Sequence, residues 1–191
     1  MPSPVSIGPP GSRGPAPRRR CLFLDRDGVI NVNPPRGAYV RCWEEFRFRP
    51  EVFAWIRLFK AAGFLVVVIT NQRGVALGLM TERDLAAVHR RMRAELEAQG
   101  AAVDDIFCCP HQENTCRCRK PRPGLVLAAQ RKWDIDLAAS LLVGDSECDR
   151  ALAAACGIPF VRVRDGQVIE TAPAPGAPAR ESQEKHEPAA G

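Results

Sequence analysis

An α/β fold of three layers around a mainly parallel sheet is the architecture this 191-residue sequence predicts. Three observations carry the prediction. Short apolar runs alternate with amphipathic segments of helical period, as βαβ units require. The strongest run, Leu65-Val66-Val67-Val68-Ile69, is apolar throughout and largely β-branched, which suits a strand covered on both faces. The links between segments are short, so a parallel sheet with one shared carboxyl edge follows.

Taken in order, Cys21-Leu22-Phe23-Leu24 reads as the first buried strand, and Gly28 lets the chain turn sharply beyond it. From Pro50 to Ala62, the residues Val52, Phe53, Ile56 and Phe59 share one face of a helix that Gly63 ends. The strand Leu65–Ile69 comes next. Thr81 caps a second helix, with Asp84 in its first turn and Leu85, Val88, Met92 and Leu96 as its apolar stripe. His89 lies on that helix in a packing or solvated role. Ile106-Phe107-Cys108 is a third strand, its Cys108 facing the core, followed by a cysteine-rich loop and a helix from about Gly124 to Trp133. Ser140-Leu141-Leu142-Val143 forms a fourth strand running into Gly144-Asp145, and Phe160-Val161-Arg162-Val163 a fifth. No internal repeat is visible, and residues 21–170 make one domain.

The ends differ from this body. Residues 1–20 are rich in Pro, Gly and Arg, and residues 171–191 in Ala, Pro and Glu, neither with an apolar pattern. Both are expected to be disordered, because they cannot bury enough apolar surface to offset their ordering entropy. The first twenty residues contribute +4 and the last twenty −1 to the net charge of +5, so the body carries only +2. The basic leader reads as solvated. No run reaches the roughly 20 apolar residues of a membrane span, and the first thirty lack a signal-peptide apolar region. A cytoplasmic protein is expected, and in that compartment its eight cysteines indicate metal ligands or buried thiols instead of disulfides.

Three predicted strands end in polar residues suited to one site: Asp25 and Asp27, then Thr70 and Asn71, then Asp145. Lys120, with Arg119 beside it, follows the cysteine-rich loop, and Pro121 and Pro123 restrain the chain there. Carboxylates, a cation and a hydroxyl at one sheet edge suit a phosphate held against Mg²⁺. The glycines of Gln72-Arg73-Gly74-Val75-Ala76-Leu77-Gly78 shape a loop over this edge, and their spacing fits neither a Walker A loop nor a dinucleotide fingerprint. Between Cys109 and Cys118, the thiols of Cys109, Cys116 and Cys118 and the imidazole of His111 can close a tetrahedral zinc site with no open position. The plain alternative is unpaired thiols beside a solvated histidine. Cys21, Cys42, Cys148 and Cys156 are scattered and read as packing residues.

The segments Asp25-Arg26-Asp27-Gly28, Ile69-Thr70-Asn71-Gln72, Cys118-Arg119-Lys120-Pro121 and Gly144-Asp145 together resemble the four motifs of haloacid-dehalogenase-like (HAD) phosphatases. The match is closest to the subgroup containing D-glycero-D-manno-heptose 1,7-bisphosphate phosphatase and the histidinol-phosphate phosphatase domain. It runs from about Cys21 to Val168, and the subgroup's zinc loop has the same Cys-x-His and Cys-x-Cys ends. The resemblance implies a Rossmann-like HAD fold without a large cap. It further implies that Asp25 is the nucleophile and Asp27 the acid and base, with the pKa of Asp27 raised by its environment. Mg²⁺ would be held by the side chains of Asp25 and Asp145 and the carbonyl of Asp27. Thr70 and Asn71, with Gln72 and Arg73 after them, would hold phosphate or substrate, and Lys120 with Arg119 would balance charge. Residues 33–39 form the loop where the family contacts substrate; Arg36 there is a phosphate contact or part of a plain Pro-Pro-Gly turn.

The substrate forks within the subgroup. Four residues separate His111 from Cys116, a short loop like that of histidinol-phosphate phosphatases, and Ser146 stands where some heptose enzymes have lysine. Asp-Gly-Val-Ile-Asn, Asn-Gln-Arg-Gly and Cys-Arg-Lys-Pro-Arg-Pro-Gly favour heptose bisphosphate. A monomeric enzyme of a small phosphate ester is therefore expected. A zinc-dependent nucleic-acid module using Arg117 to Arg122 is disfavoured, since aromatics for base stacking are sparse and the acids would go unexplained.

Overall fold

The computed structural model describes residues 18–35 and 37–174. The expected disorder of the two ends lies mostly outside these residues, as does Arg36. Six strands, β1 (Cys21–Leu24), β2 (Leu65–Asn71), β3 (Asp105–Cys109), β4 (Leu141–Gly144), β5 (Phe160–Arg164) and β6 (Gln167–Ala172), form one sheet in the order β3-β2-β1-β4-β5-β6. All pairings are parallel except β5 with β6. The helices are α1 (Glu51–Ala61), α2 (Glu82–Ala98), α3 (Gly124–Trp133) and α4 (Glu147–Cys156).

Alternation along β1 and β2 divides the core in two. Leu22, Leu24, Val66 and Val68 pack with Val52 and Ile56 of α1 and with Val88, Met92 and Leu96 of α2. Phe23, Val67 and Ile69 pack on the other face with Leu125, Val126 and Ala129 of α3 and with Leu152 and Ala153 of α4. Both faces of the central strands are thus covered, which is why they stay apolar until the carboxyl end, where Thr70 and Asn71 begin the polar edge. The expected cap of α2 is present in full: Thr81 accepts from the Asp84 N–H, and the Asp84 carboxylate accepts from the Thr81 N–H. Only an irregular segment with one 3-10 turn, Trp43–Glu45, separates β1 from α1, so no large cap covers the carboxyl edge among the described residues.

Four readings of the sequence need correction. Residues 18–20 belong to the body and not to the leader: Arg19 bridges to Ile135, and the Arg20 guanidinium donates to the carbonyl of Ala62 at 2.8 Å. Residues 171 and 172 close β6 and are not tail. That strand follows a two-residue turn, Asp165-Gly166, with both residues at positive φ, the geometry of a tight hairpin. Cys109, and not Cys108, faces the core, because β3 pairs with β2 in the register Asn71↔Cys109. Cys21 and Cys156 pack in or against the core, whereas Cys42 and Cys148 are half-buried outside it. No helix among the described residues is long and apolar enough to cross a membrane.

Candidate active site

The carboxyl ends of β1, β2 and β4 bring Asp25, Thr70 and Asp145 to one edge, as expected of a parallel sheet. Beyond Asp25 the chain folds back on itself: the carbonyl of Arg26 accepts from the N–H of Ile30 and of Asn31, and the N–H of Gly28 donates to the carbonyl of Asn31. Gly28 sits at φ +85°, and a Cβ there would lie 2.2 Å from Oδ2 of Asp145. Only glycine therefore lets this turn close against β4.

Lys120 is the centre of the site. It is buried, and its Nζ lies 2.8 Å from Oδ1 of Asp25 and 2.6 Å from Oδ1 of Asp149. Asp149, wholly buried on the first turn of α4, escaped the sequence reading. Its other oxygen completes a capping box with Ser146. Ser146 thus has a local reason to be serine: it caps α4 and fixes the acid that fixes Lys120. The side chain of Asn71 is spent on Lys120 too, donating to its carbonyl at 3.1 Å and accepting from its N–H at 3.0 Å. Asn71, expected to hold phosphate, thus also positions the lysine.

Carboxylate oxygens of Asp25, Asp145 and Asp149 all lie within 4.8 Å of one another. Three carboxylates around one ammonium leave two negative charges when all are ionised, which a hard divalent cation balances. The electrostatics agree. Burial pushes the Asp25 carboxyl up, with Lys120 opposing, and burial together with Asp149 pushes Asp145 up to about 6. Asn33 donates to Oδ2 of Asp145 at 2.5 Å, aiming that carboxylate from the neighbouring loop.

Asp27 behaves differently. Both its oxygens accept from the Arg26 guanidinium at 3.0 Å, and Asn31 and Gln72 donate at 2.9 and 2.8 Å. Burial pushes its carboxyl up, but Arg26, Asn31 and Gln72 outweigh burial and hold it below the usual range. This reverses the expected order of the two acids, because the resemblance gave Arg26 no part. A dianion placed beside Asp27 would push it upward again by like-charge repulsion. Gln72 also donates to the buried hydroxyl of Thr70 at 2.9 Å. Arg73 points outward, tying Tyr39 (3.1 Å) to Glu113 (2.7 Å) and so joining two loops that flank the site.

The cysteine-rich loop folds as a closed cluster. Sγ of Cys116 lies 3.5 Å from that of Cys109 and 3.3 Å from that of Cys118, and Nδ1 of His111 is 3.5 and 3.3 Å from Cys109 and Cys118. Tetrahedral zinc with thiolate and imidazole ligands has edges of about 3.5–3.8 Å, given its ordinary bond lengths. The cluster is a few tenths of an ångström tighter than that, with all four ligand atoms turned to one centre. Arg119 follows it, its Nη1 buried without a hydrogen-bond partner and its side chain lining a cavity of about 510 Å³ with Asn71, Lys120 and Cys148.

Acids at the ends of adjacent parallel strands, one of them against a buried lysine, define a phosphate-transfer hydrolase of α/β type. Comparison with known proteins refines the class. Residues 117–188 match the HAD-hydrolase-like family model. The chain is 46% identical over 163 residues to D-glycero-β-D-manno-heptose-1,7-bisphosphate 7-phosphatase of Rhodopseudomonas palustris, covering 81% of this chain and 88% of that one. It is 44% identical over 135 residues to the α-anomer 7-phosphatase of Mycobacterium tuberculosis, covering 70% of each. Its structure superposes on that of a D,D-heptose 1,7-bisphosphate phosphatase from B. bronchiseptica, complexed with magnesium and phosphate, with a TM-score of 0.69 at 38% identity, covering 74% and 78%. The chain belongs to the HAD hydrolases, in the branch of the D-glycero-D-manno-heptose-1,7-bisphosphate 7-phosphatases. It is a phosphatase.

Proposed function

We propose that this chain removes the 7-phosphate from D-glycero-D-manno-heptose 1,7-bisphosphate, using Mg²⁺ and an aspartyl-phosphate intermediate. The carrying observation is Asp25 at the end of β1, held by Lys120 with Asp145 and Asp149 around it. Asp25 attacks phosphorus; its new O–P bond forms as the bond to the sugar oxygen breaks, and Asp27 gives that oxygen a proton. Water then attacks the phosphorus of the aspartyl-phosphate, Asp27 takes the water proton, and inorganic phosphate leaves with Asp25 restored. Lys120 faces the transferring oxygens and stabilises their charge, with Thr70 and Arg119 as further contacts. Asp25, Asp145 and the carbonyl of Asp27 would hold Mg²⁺, which supplies charge neutralisation on the phosphoryl group.

Three thiols and one imidazole of suitable spacing support a structural zinc at Cys109, His111, Cys116 and Cys118. The open edge leaves room for a sugar. The enzyme is read as monomeric and takes no nucleic acid, and eight cysteines with no disulfide among the described residues suit a cytoplasmic reading. Phosphate release from both heptose 1,7-bisphosphate anomers and from histidinol phosphate, with and without Mg²⁺, tests the reading. Mg²⁺-dependent preference for either heptose anomer is expected; preference for histidinol phosphate defeats the substrate assignment.

Replacing Gly28 with alanine drives a methyl group into Asp145 and forces a left-handed residue, at a backbone cost of about 1–2 kcal/mol. The expected result is a several-fold rise in the Mg²⁺ concentration that half-saturates activity, read by metal titration.

A further inference from the structure

Arg26 is the largest wholly buried side chain in the molecule's described part, and it is charged. A lone guanidinium in such a place is costly, so its partners must be complete. Nε and Nη2 go to Asp27, at 3.0–3.2 Å. Nη1 meets Nε2 of His89, 63 residues away, at 3.2 Å. His89 is buried on α2, within a turn of Leu85 and Met92, whose core packing fixes where the ring sits. Burial, then Arg26, pushes the His89 pKa down to about 4, so the ring is neutral near pH 7 and Nε2 is free to accept.

We infer that His89 and Arg26 are positioning residues for the proton transfer to the leaving alcohol: α2, through His89, sets the guanidinium, and the guanidinium sets both oxygens of Asp27. The inference rests on the reading of Asp27 as acid and base. The geometry gives a direct reason. Asp27 lies within the turn that residues 28–31 close back on Arg26, and besides the guanidinium its carboxylate has two neutral donors, Asn31 and Gln72. Of its partners only Arg26 grips both oxygens, and a bidentate fork defines the carboxylate plane as single bonds do not. Removing the acceptor at His89 leaves one buried N–H unmet and lets the fork rotate.

A merely structural role predicts uniform loss of activity, whereas positioning of the proton donor predicts loss graded by the leaving group. A sugar alkoxide needs a proton to depart; a nitrophenolate does not. The test compares kcat/KM for heptose 1,7-bisphosphate and for p-nitrophenyl phosphate in the Mg²⁺-loaded full chain, for Asp27→Asn, His89→Leu and His89→Gln. Asp27→Asn should lose on the order of 10²–10⁴-fold on the sugar ester and far less on the aryl ester. His89→Leu should show the same skew at about 10-fold, and His89→Gln, whose amide oxygen replaces Nε2, should stay within about 3-fold on both. Equal losses on the two substrates in His89→Leu, or a glutamine variant as impaired as the leucine one, overturn the inference. If Asp27→Asn itself shows no skew, the acid–base reading fails and takes the inference with it. Should His89→Leu not fold, the contrast between His89→Gln and the shorter His89→Asn decides on the same skew.

Discussion

Asp25→Asn is expected to abolish Mg²⁺-dependent phosphate release, by on the order of 10⁴-fold or more, as loss of a nucleophile does. The fold should survive intact. Oδ1 of Asp25 accepts both from the Arg26 N–H at 2.7 Å and from Lys120 at 2.8 Å, and an asparagine carbonyl can keep both contacts. Lys120 also retains Asp149. The substitution removes one of three crowded carboxylates from a buried site, so the metal-free variant should melt no lower than the parent. Phosphate release and a thermal melt on one preparation check the pair of expectations. Activity within tenfold of wild type would remove Asp25 as nucleophile. A large drop in melting temperature would recast it as a structural partner of Lys120.

What the sequence revealed about this site, and what it hid, follows from the range of the forces involved. Asp25, Thr70 and Asp145 were legible because each directly ends an apolar run, and a parallel sheet gathers such ends. Lys120 was legible from its motif. Asp149 was not, although Ser146 three residues before it offered a cap signal; α4 is short and alanine-rich, and acids in a first helical turn are ordinary solvated residues. β6 was missed for a similar reason: as an exposed edge strand, its residues alternate weakly, although Asp165-Gly166 is a usable hairpin cue. The place of Arg26 was beyond local reading. An arginine between two loop acids looks solvated, and its burial depends on His89, supplied by a helix 63 residues on. Cys109 instead of Cys108 faces the core because a strand's face is decided by register, and β3 is two residues longer than its apolar run suggested. The pairing of Asn71 with the Lys120 backbone stayed hidden for want of the loop that returns Lys120 to it.

Loss of the metal from the cysteine-rich loop should be the second most damaging change. Between Cys109 and Lys120 the chain has little apolar anchorage: Cys109 is buried, Cys116 and Cys118 only partly, and the intervening residues are mostly exposed. Its order therefore depends on whatever joins the three thiols and the imidazole. Zinc-finger peptides gain roughly 10–16 kcal/mol from such a closure near neutral pH. A small part of that suffices to hold a ten-residue loop. The loop then delivers Arg119, whose N–H donates to Sγ of Cys116 at 3.4 Å, and Lys120 immediately after it. The proposed zinc cluster and the lysine proposed to face phosphate are thus two steps apart along one chain. Protein purified without chelator should contain about one zinc per chain, the complement of one closed four-ligand site. Cys118→Ser should lose the zinc and on the order of 10²-fold in kcat, the scale seen when one transition-state stabiliser is withdrawn. Far-ultraviolet circular dichroism should barely change, because the sheet and both core faces form without the loop. A zinc-free preparation with full activity would refute the metal assignment. A zinc-free Cys118→Ser variant with full activity would refute the coupling between loop and lysine, because Asn71, Asp25 and Asp149 would then be enough to hold Lys120 in place.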